Sequence, residues 1–205
     1  SAREAASSVV EYNIWGLDID ERAAQLAYFS VMMKARQYDR RFFSRGIQPH
    51  VYAILESNNL DPYCIEYFVD GRKELKSAMD TLVKELHDAK EYGSIPNVSM
   101  VDFAGLYARF DEIRNEAAPS IYSYQAIDTM LPFVQVAQAI AQKYDIVATN
   151  PPYMASSGMD SKMFNYVKKY YDDGRNDLYT VFILKCCSFA RRNGFVAMIT
   201  QLGWM

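Results

Sequence analysis

Tyr144-Asp145-Ile146-Val147-Ala148-Thr149-Asn150-Pro151-Pro152-Tyr153 reads as a strand running into a stiff polar turn. Ile146, Val147 and Ala148 are the short apolar run of a buried strand. Asn150 then meets two prolines, which fix φ, remove two N–H donors and push the preceding residue away from the helical region. The Pro151 carbonyl is thereby held in a defined direction beside the Asn150 amide, and Tyr153 adds a flat ring. One amide oxygen, one backbone carbonyl and one aromatic face can together hold a planar –NH2 group. Asn-Pro alone reads as a loop after a core strand; the strand–turn context is what gives the longer run its meaning.

Working outward, residues 2–11 read as the tail of a helix, and Asn13 to Asp20 as a strand ending in acidic residues. Asp20 can cap a helix over Glu21 to about Tyr38, with Glu21 favourable in its first turn. The apolar face of that helix is broad (Tyr28, Phe29, Met32, Met33), which predicts packing on a sheet. Lys34, Arg36, Arg40, Arg41 and Arg45 form a basic run, either a solvated helix end or a phosphate contact at the edge of a site. His50 to Glu56 is strand-like. Residues 72–91 are expected to be helical, with Leu75, Met79, Leu82, Val83 and Leu86 recurring at three- and four-residue steps. Val98 to Phe103 reads as a short strand, 105–118 as a polar helix, and Pro132 to about Lys143 as a helix with Phe133, Val136, Ala137 and Ile140 inward. Asp177 can cap a helix from Leu178 to about Arg191, stopped by Asn193-Gly194, before a final buried strand from Phe195 to Thr200. This order predicts an α/β fold with a mostly parallel sheet.

Composition narrows the class. The 205 residues are 50% hydrophobic and 14% aromatic, and the mean hydropathy is −0.19. One globular domain is expected. No apolar run approaches ~20 residues, so no membrane span is expected. Nor does the start, Ser1 to Ala6, have the apolar core of a signal peptide. Cys64, Cys186 and Cys187 lack zinc spacing and read as reduced core thiols of a cytoplasmic protein, so no metal is expected. The net charge of −3 and pI of about 5.5 argue against strong nucleic-acid binding by these residues alone.

The run from Tyr144 to Tyr153 resembles the fourth motif of the S-adenosylmethionine-dependent amino-methyltransferases. With Met154 to Lys162, and with Gly16 to Leu26 upstream, the chain resembles the adenine-specific DNA methyltransferases of phage-growth-limitation (BREX-type) defence systems. The resemblance implies a Rossmann-like methyltransferase fold and methyl transfer from S-adenosylmethionine to adenine N6, with Asn150, Pro151, Pro152 and Tyr153 catalytic. It implies that Asp18 accepts the cofactor's ribose hydroxyls and that Ile19 lies against its adenine. Asp102-Phe103 fits the family pattern for a further cofactor contact, and Glu56 after the His50 strand competes with it. Asp177 either only caps its helix or also borders the site. Tyr153 is the natural stacking partner for a flipped base. No cysteine stands near this turn to serve as the nucleophile of cytosine C5 methylation.

Two further implications concern extent. The family's glycine-rich turn is absent from this chain, so the resemblance puts that turn and its strand before residue 1, and a recognition region after Met205. Residues 1–205 are then a partial catalytic domain with a family-specific insertion at about 46–143. The gap left by that strand would close by direct pairing of its neighbours or by self-association. Double-stranded DNA, through the full-length protein, and other defence-system subunits are the expected partners. Methylation of protein glutamine or of an RNA base amino group, or a non-catalytic binding module, are the alternatives.

Overall fold

The computed structural model describes residues 1–201. Helix α1 (Ala2–Ser8) opens on a Ser1–Glu4 capping box and runs through a wide π turn into strand β1 (Trp15–Asp18). Asp20 caps α2 (Glu21–Tyr38), accepting from the Arg22 and Ala23 amides. Only Ala24 and Ala35 of α2 are buried, with Tyr28, Val31 and Met32 half-buried between them. Ala24, Tyr28, Val31 and Ala35 define one stripe at helical spacing, with Met32 beside it. The expected broad face is therefore narrower: Leu26 and Phe29 are 66% and 59% exposed. Strand β2 (His50–Ala53) lies parallel to β1, Trp15 opposite His50 and Asp18 opposite Ala53.

Helices α3 (Pro62–Val69), α4 (Lys73–Glu85), α5 (Ala89–Tyr92), α6 (Phe103–Arg114), α7 (Ile121–Gln125) and α8 (Leu131–Ala141) follow. Together they form a helical unit around Phe68, Met79, Leu82, Phe110 and Phe133. The expected long helix over 72–91 stops at Glu85 and resumes only as α5 after Asp88, which takes a left-handed φ of 57°. The expected strand at Val98 does not form. Phe103 instead opens α6, whose buried stripe is Phe103, Leu106, Phe110 and Ile113. Arg109 is buried there because its guanidinium donates to the Phe68 carbonyl at 2.9 Å and to Glu112 at 3.0 Å. All four residues expected inward on α8 are buried.

Strand β3 (Tyr144–Thr149) is parallel to β4 (Ala190–Met198), and between them lie α9 (Ser161–Tyr170) and α10 (Leu178–Phe189). Asn193-Gly194 does not stop α10, which ends at Phe189. It sits inside β4 as a bulge, where Asp145 alone faces the residues between Ala190 and Phe195. Asn193 has φ 66°, and a Cβ on Gly194 would come within 3.0 Å of the Arg191 and Asp145 carbonyl oxygens. Cys186 is buried and Cys187 exposed, so the expected paired core thiols are only half so.

The sheet is two parallel pairs, β2–β1 and β3–β4, not hydrogen-bonded to each other. The expected direct pairing across the gap is absent. Trp15 and Tyr144, the first residues of β1 and β3, meet edge-on at 6.4 Å. A small cavity between the two strands is lined by Leu17, Ile146 and Phe182. β3 and β4 are not the buried strands expected: Ile146 and Phe195 are 68% and 72% exposed. The reason is that each strand of the pair has a single hydrogen-bonded neighbour, and Ile146 and Phe195 stand opposite one another on a face without apolar cover. Among the described residues, no helix is long and apolar enough to cross a membrane.

Candidate active site

The turn after β3 leaves Asn150 and Pro152 exposed and Pro151 buried. The Tyr153 hydroxyl donates to the Ile199 carbonyl at 2.8 Å, while Asn150 Oδ1 stands 3.4 Å away. O–H···O bonds run at 2.5–3.0 Å, so the hydroxyl belongs to Ile199 and the amide oxygen of Asn150 stays open to another donor. The Tyr153 ring is 45% exposed and meets Tyr179 edge-on at 6.1 Å. An aromatic ring anchored at its hydroxyl, with a face open, sits beside an unclaimed amide oxygen.

Downstream, the chain leaves this turn and returns to it. Leu178 donates to the Met154 carbonyl at 2.8 Å, Ser156 donates to the Asn176 carbonyl at 2.9 Å, and Ala155 bridges Asp177 antiparallel. Residues 156–176, with α9, are therefore an excursion tied shut at its base. Asp177 caps α10 by accepting from the Tyr179 amide, and the same residue is one half of that tie. The structure thus brings Asn150, Tyr153 and Asp177 into one neighbourhood.

At the end of β1, Asp18 is exposed and spends Oδ1 on the Asp20 amide at 2.9 Å. Among the described residues its second carboxylate oxygen has no partner. Ile19 is 55% exposed and abuts Gly93, where a Cβ would lie 3.6 Å from Ile19 Cδ1. Gly93 has φ 64°, a conformation that strains any side chain. Because β1 and β2 are parallel, Glu56 follows the same end of the pair; its carboxylate takes the Lys90 amide. Asp102 instead caps α6, accepting from the Gly105 amide at 3.0 Å, and Phe103 is 6% exposed in the helical core. Neither ends a strand, contrary to the expectation of a strand over Val98 to Phe103.

Sequence reasoning missed three contributors. The Ile199 carbonyl and the Tyr179 ring hold Tyr153: no local pattern announces the first, and Tyr179 lies in the Asp177–Tyr179 segment that resembles the family's border of the site without its contact being readable there. Lys185 is the third: 3% exposed on α10, it donates to the Pro96 carbonyl at 2.6 Å and reaches Asn97 Oδ1 at 3.3 Å. Burial pulls its ammonium down to about 7. Tyr171 donates to the Ile95 carbonyl at 2.6 Å. Residues 95–97 are thus staked to α10 by Lys185 and to the end of α9 by Tyr171.

The basic run lies elsewhere. α2 starts at the carboxyl end of β1 and runs back along the sheet, rising about 27 Å over its 18 residues. Its final Arg36 and the following Arg40, Arg41 and Arg45 therefore sit at the opposite end from Asn150. Arg36 lies over Phe43, and Arg45 is paired with the buried Asp39. The edge-of-site phosphate role does not fit this placement. Among the described residues no cluster of His, Cys, Asp and Glu could hold a metal ion.

The sequence is similar to two curated proteins. It is 33% identical over 226 residues to the adenine-specific methyltransferase BrxX of Escherichia coli O9:H4 (strain HS), covering 99% of this chain and 19% of that protein. It is 33% identical over 211 residues to the adenine-specific methyltransferase PglX of Lacticaseibacillus casei (strain Zhang), covering 100% of this chain and 17% of that one. The chain therefore spans about a fifth of the length of these relatives. The profile of the Eco57I restriction-modification methylases matches residues 12–205, taking in both strand pairs and the Asn150 turn. With that extent of match, the chain belongs to the Eco57I restriction-modification methylase family.

Proposed function

We propose that these residues form the core of a catalytic domain that methylates adenine N6 in DNA within a phage-defence system. The observation that carries the reading is the open Asn150 amide oxygen beside the anchored, half-exposed Tyr153 ring. Adenine N6 is a poor nucleophile because its lone pair is delocalised into the ring. The Asn150 side-chain oxygen and the Pro151 carbonyl accept its two N–H hydrogens, concentrating electron density on nitrogen. Their contribution is positioning and electrostatics, with no covalent enzyme intermediate. Tyr153 stacks on the extruded base.

S-adenosylmethionine supplies the electrophilic methyl group when bound. The residues fit its recognition at one end: the free Asp18 oxygen suits a ribose hydroxyl, and exposed Ile19 suits an adenine face. Glu56 joins them in this reading in preference to Asp102. In this reading one further parallel strand between β1 and β3 would complete a Rossmann-like sheet in the order β2, β1, added strand, β3, β4, and the absence of hydrogen bonds between the two pairs supports it. The insertion expected at about 46–143 then begins after β2, because β2 belongs to the sheet. Self-association through that slot, double-stranded DNA and other defence subunits are the proposed partners.

The test is Asn150→Ala in the full-length protein. Methylation should fall at least about a hundredfold, as for a lost electrostatic stabiliser, with cofactor affinity by calorimetry nearly unchanged. Methylation retained in that variant would overturn the reading.

A further inference from the structure

We infer that the groove between α4 and α9 carries the DNA strand flanking the target adenine, its phosphates on Lys84, Lys162 and Lys169 and a base against Tyr170. The inference rests on the adenine-methylation reading.

On α9, Lys162, Tyr166, Lys169 and Tyr170 follow at i, i+4, i+7 and i+8, so one face alternates cation and aromatic. The opposing wall is Lys84 of α4 and Tyr92 of α5, enclosing a groove of ≈ 730 Å³. Tyr92 stacks on Tyr166 at 4.3 Å, and Tyr170 meets Tyr166 tilted by 40° at 4.6 Å. Tyr170 ends this row of rings with 47% of its surface open and Lys169 poised 4.7 Å from its ring centre.

The acids in the groove are already engaged. Glu85 takes the Ser99 amide and hydroxyl at 2.7 and 2.6 Å. Asp88 takes Asn58 at 2.7 Å and Lys162 at 3.3 Å. Among the described residues Lys84 and Lys169 form no ion pair. Two unpaired ammonium groups, and Lys162 on an exposed pair that a phosphate can take over, beside an open tyrosine face match a nucleic-acid strand, with phosphates held as point charges and bases stacked without sequence choice.

The groove also opens at the required end. Tyr92 in its wall precedes Gly93, which abuts Ile19 at the carboxyl end of β1. α9 itself is the excursion tied at Ala155 and Asp177 to the Asn150 turn. A strand in the groove therefore runs past both halves of the candidate site. The basic run after α2 lies at the far end and cannot serve it.

The experiment is fluorescence anisotropy of this chain with a labelled 20-base-pair DNA duplex carrying a short single-stranded overhang, across a salt series. The variants are Lys84→Ala/Lys162→Ala/Lys169→Ala, Tyr170→Ala, Tyr170→Phe, and a far-end control, Arg36→Ala/Arg40→Ala. The triple variant should bind about tenfold or more weakly at 0.1 M salt, with a log–log salt slope shallower by about 2 to 3, close to 0.9 per lost phosphate contact. Tyr170→Ala should weaken binding several-fold and Tyr170→Phe should not, as stacking requires. The control should stay within about twofold. Should the triple variant unfold at a lower temperature than the wild type, Lys169→Glu alone, at an unpaired residue, carries the test.

An unchanged salt slope, a wild-type chain that binds no DNA, or tighter binding of a 20-mer RNA lost in the same variants would each overturn the inference. Methyl incorporation separates it from the functional reading. DNA binding lost in the triple variant, with no methylation by the full-length protein, keeps the groove and removes the methyltransferase reading. Wild-type methylation and binding in the triple variant remove the groove and keep that reading.

Discussion

Between Pro62 and Ala141, Phe68, Met79, Leu82, Phe110 and Phe133 are each at most 1% exposed, whereas on β3 and β4 Ile146 and Phe195 are 68% and 72% exposed. The helical unit closes its own core. The β3–β4 pair has the apolar composition of a core element without the cover. A two-stranded pair is marginal in isolation, so here the strands are held by α10 on one face and by stakes such as Lys185 and Tyr171. The part that carries the chemistry is the part that depends on its surroundings, which suits a site that must admit a base and a cofactor.

The largest effect that would break this contrast is in the core. Phe110→Ala should cost about 3–5 kcal/mol of unfolding free energy in urea, while Ile146→Thr on the exposed face should stay within about 0.5 kcal/mol. Equal losses would mean that the two regions share one core.

Next comes the stake between them. Lys185 binds a proton less readily when folded, with burial lowering it to about 7, whereas an unfolded lysine titrates near 10.4. Between these values the unfolded chain holds the extra proton, so stability gained from this residue rises with pH. The cost of burying the charge is fully present below about pH 7. Relative to Lys185→Met, the wild type should gain about 1.4 kcal/mol per pH unit between pH 7.5 and 9.5. Parallel stability profiles for the two proteins would show that Lys185 stays charged in the fold.

The smallest effect sharpens the contrast by function. Asp102→Ala and Asp177→Ala each remove a helix cap and should each cost about 1 kcal/mol. Only Asp177→Ala, whose residue also ties the excursion beside Asn150, should lower methylation by the full-length protein. An equal loss of methylation in both would return Asp102 to the site.

Local chemistry was legible wherever neighbours in sequence decide it. The Asp20 cap set the start of α2, and the apolar spacing of Phe133, Val136, Ala137 and Ile140 set the inner face of α8. The Asn150–Tyr153 turn was legible because proline chemistry is local. Residues whose role depends on distant partners were not. Val98 to Phe103 has strand composition, but Asp102 finds the Gly105 amide and Phe103 a place in the helical core, so a helix starts there. Asn193-Gly194 suits a helix stop as well as a bulge, and only the pairing of β4 with β3 on either side of it selects the bulge. Burial of Ile146 could not be read from its own strand, because burial is a property of what lies opposite.

The self-closing helical unit also has a consequence in time. The 90 residues between the end of β2 and the start of β3 take roughly 5–20 s to synthesise at ~5–20 residues per second, while local helical packing takes microseconds to milliseconds. On the ribosome, the half bearing Asp18 and the helices can therefore settle before Asn150 leaves the exit tunnel. The later half arrives to find residues 95–97 already presented to Lys185 and Tyr171. Assembly of the site then becomes a docking step onto a finished surface, with the helical unit as its template. A force-sensing arrest sequence placed along the nascent chain should record one folding event before β3 emerges and a second after α10; a single late event would contradict this order.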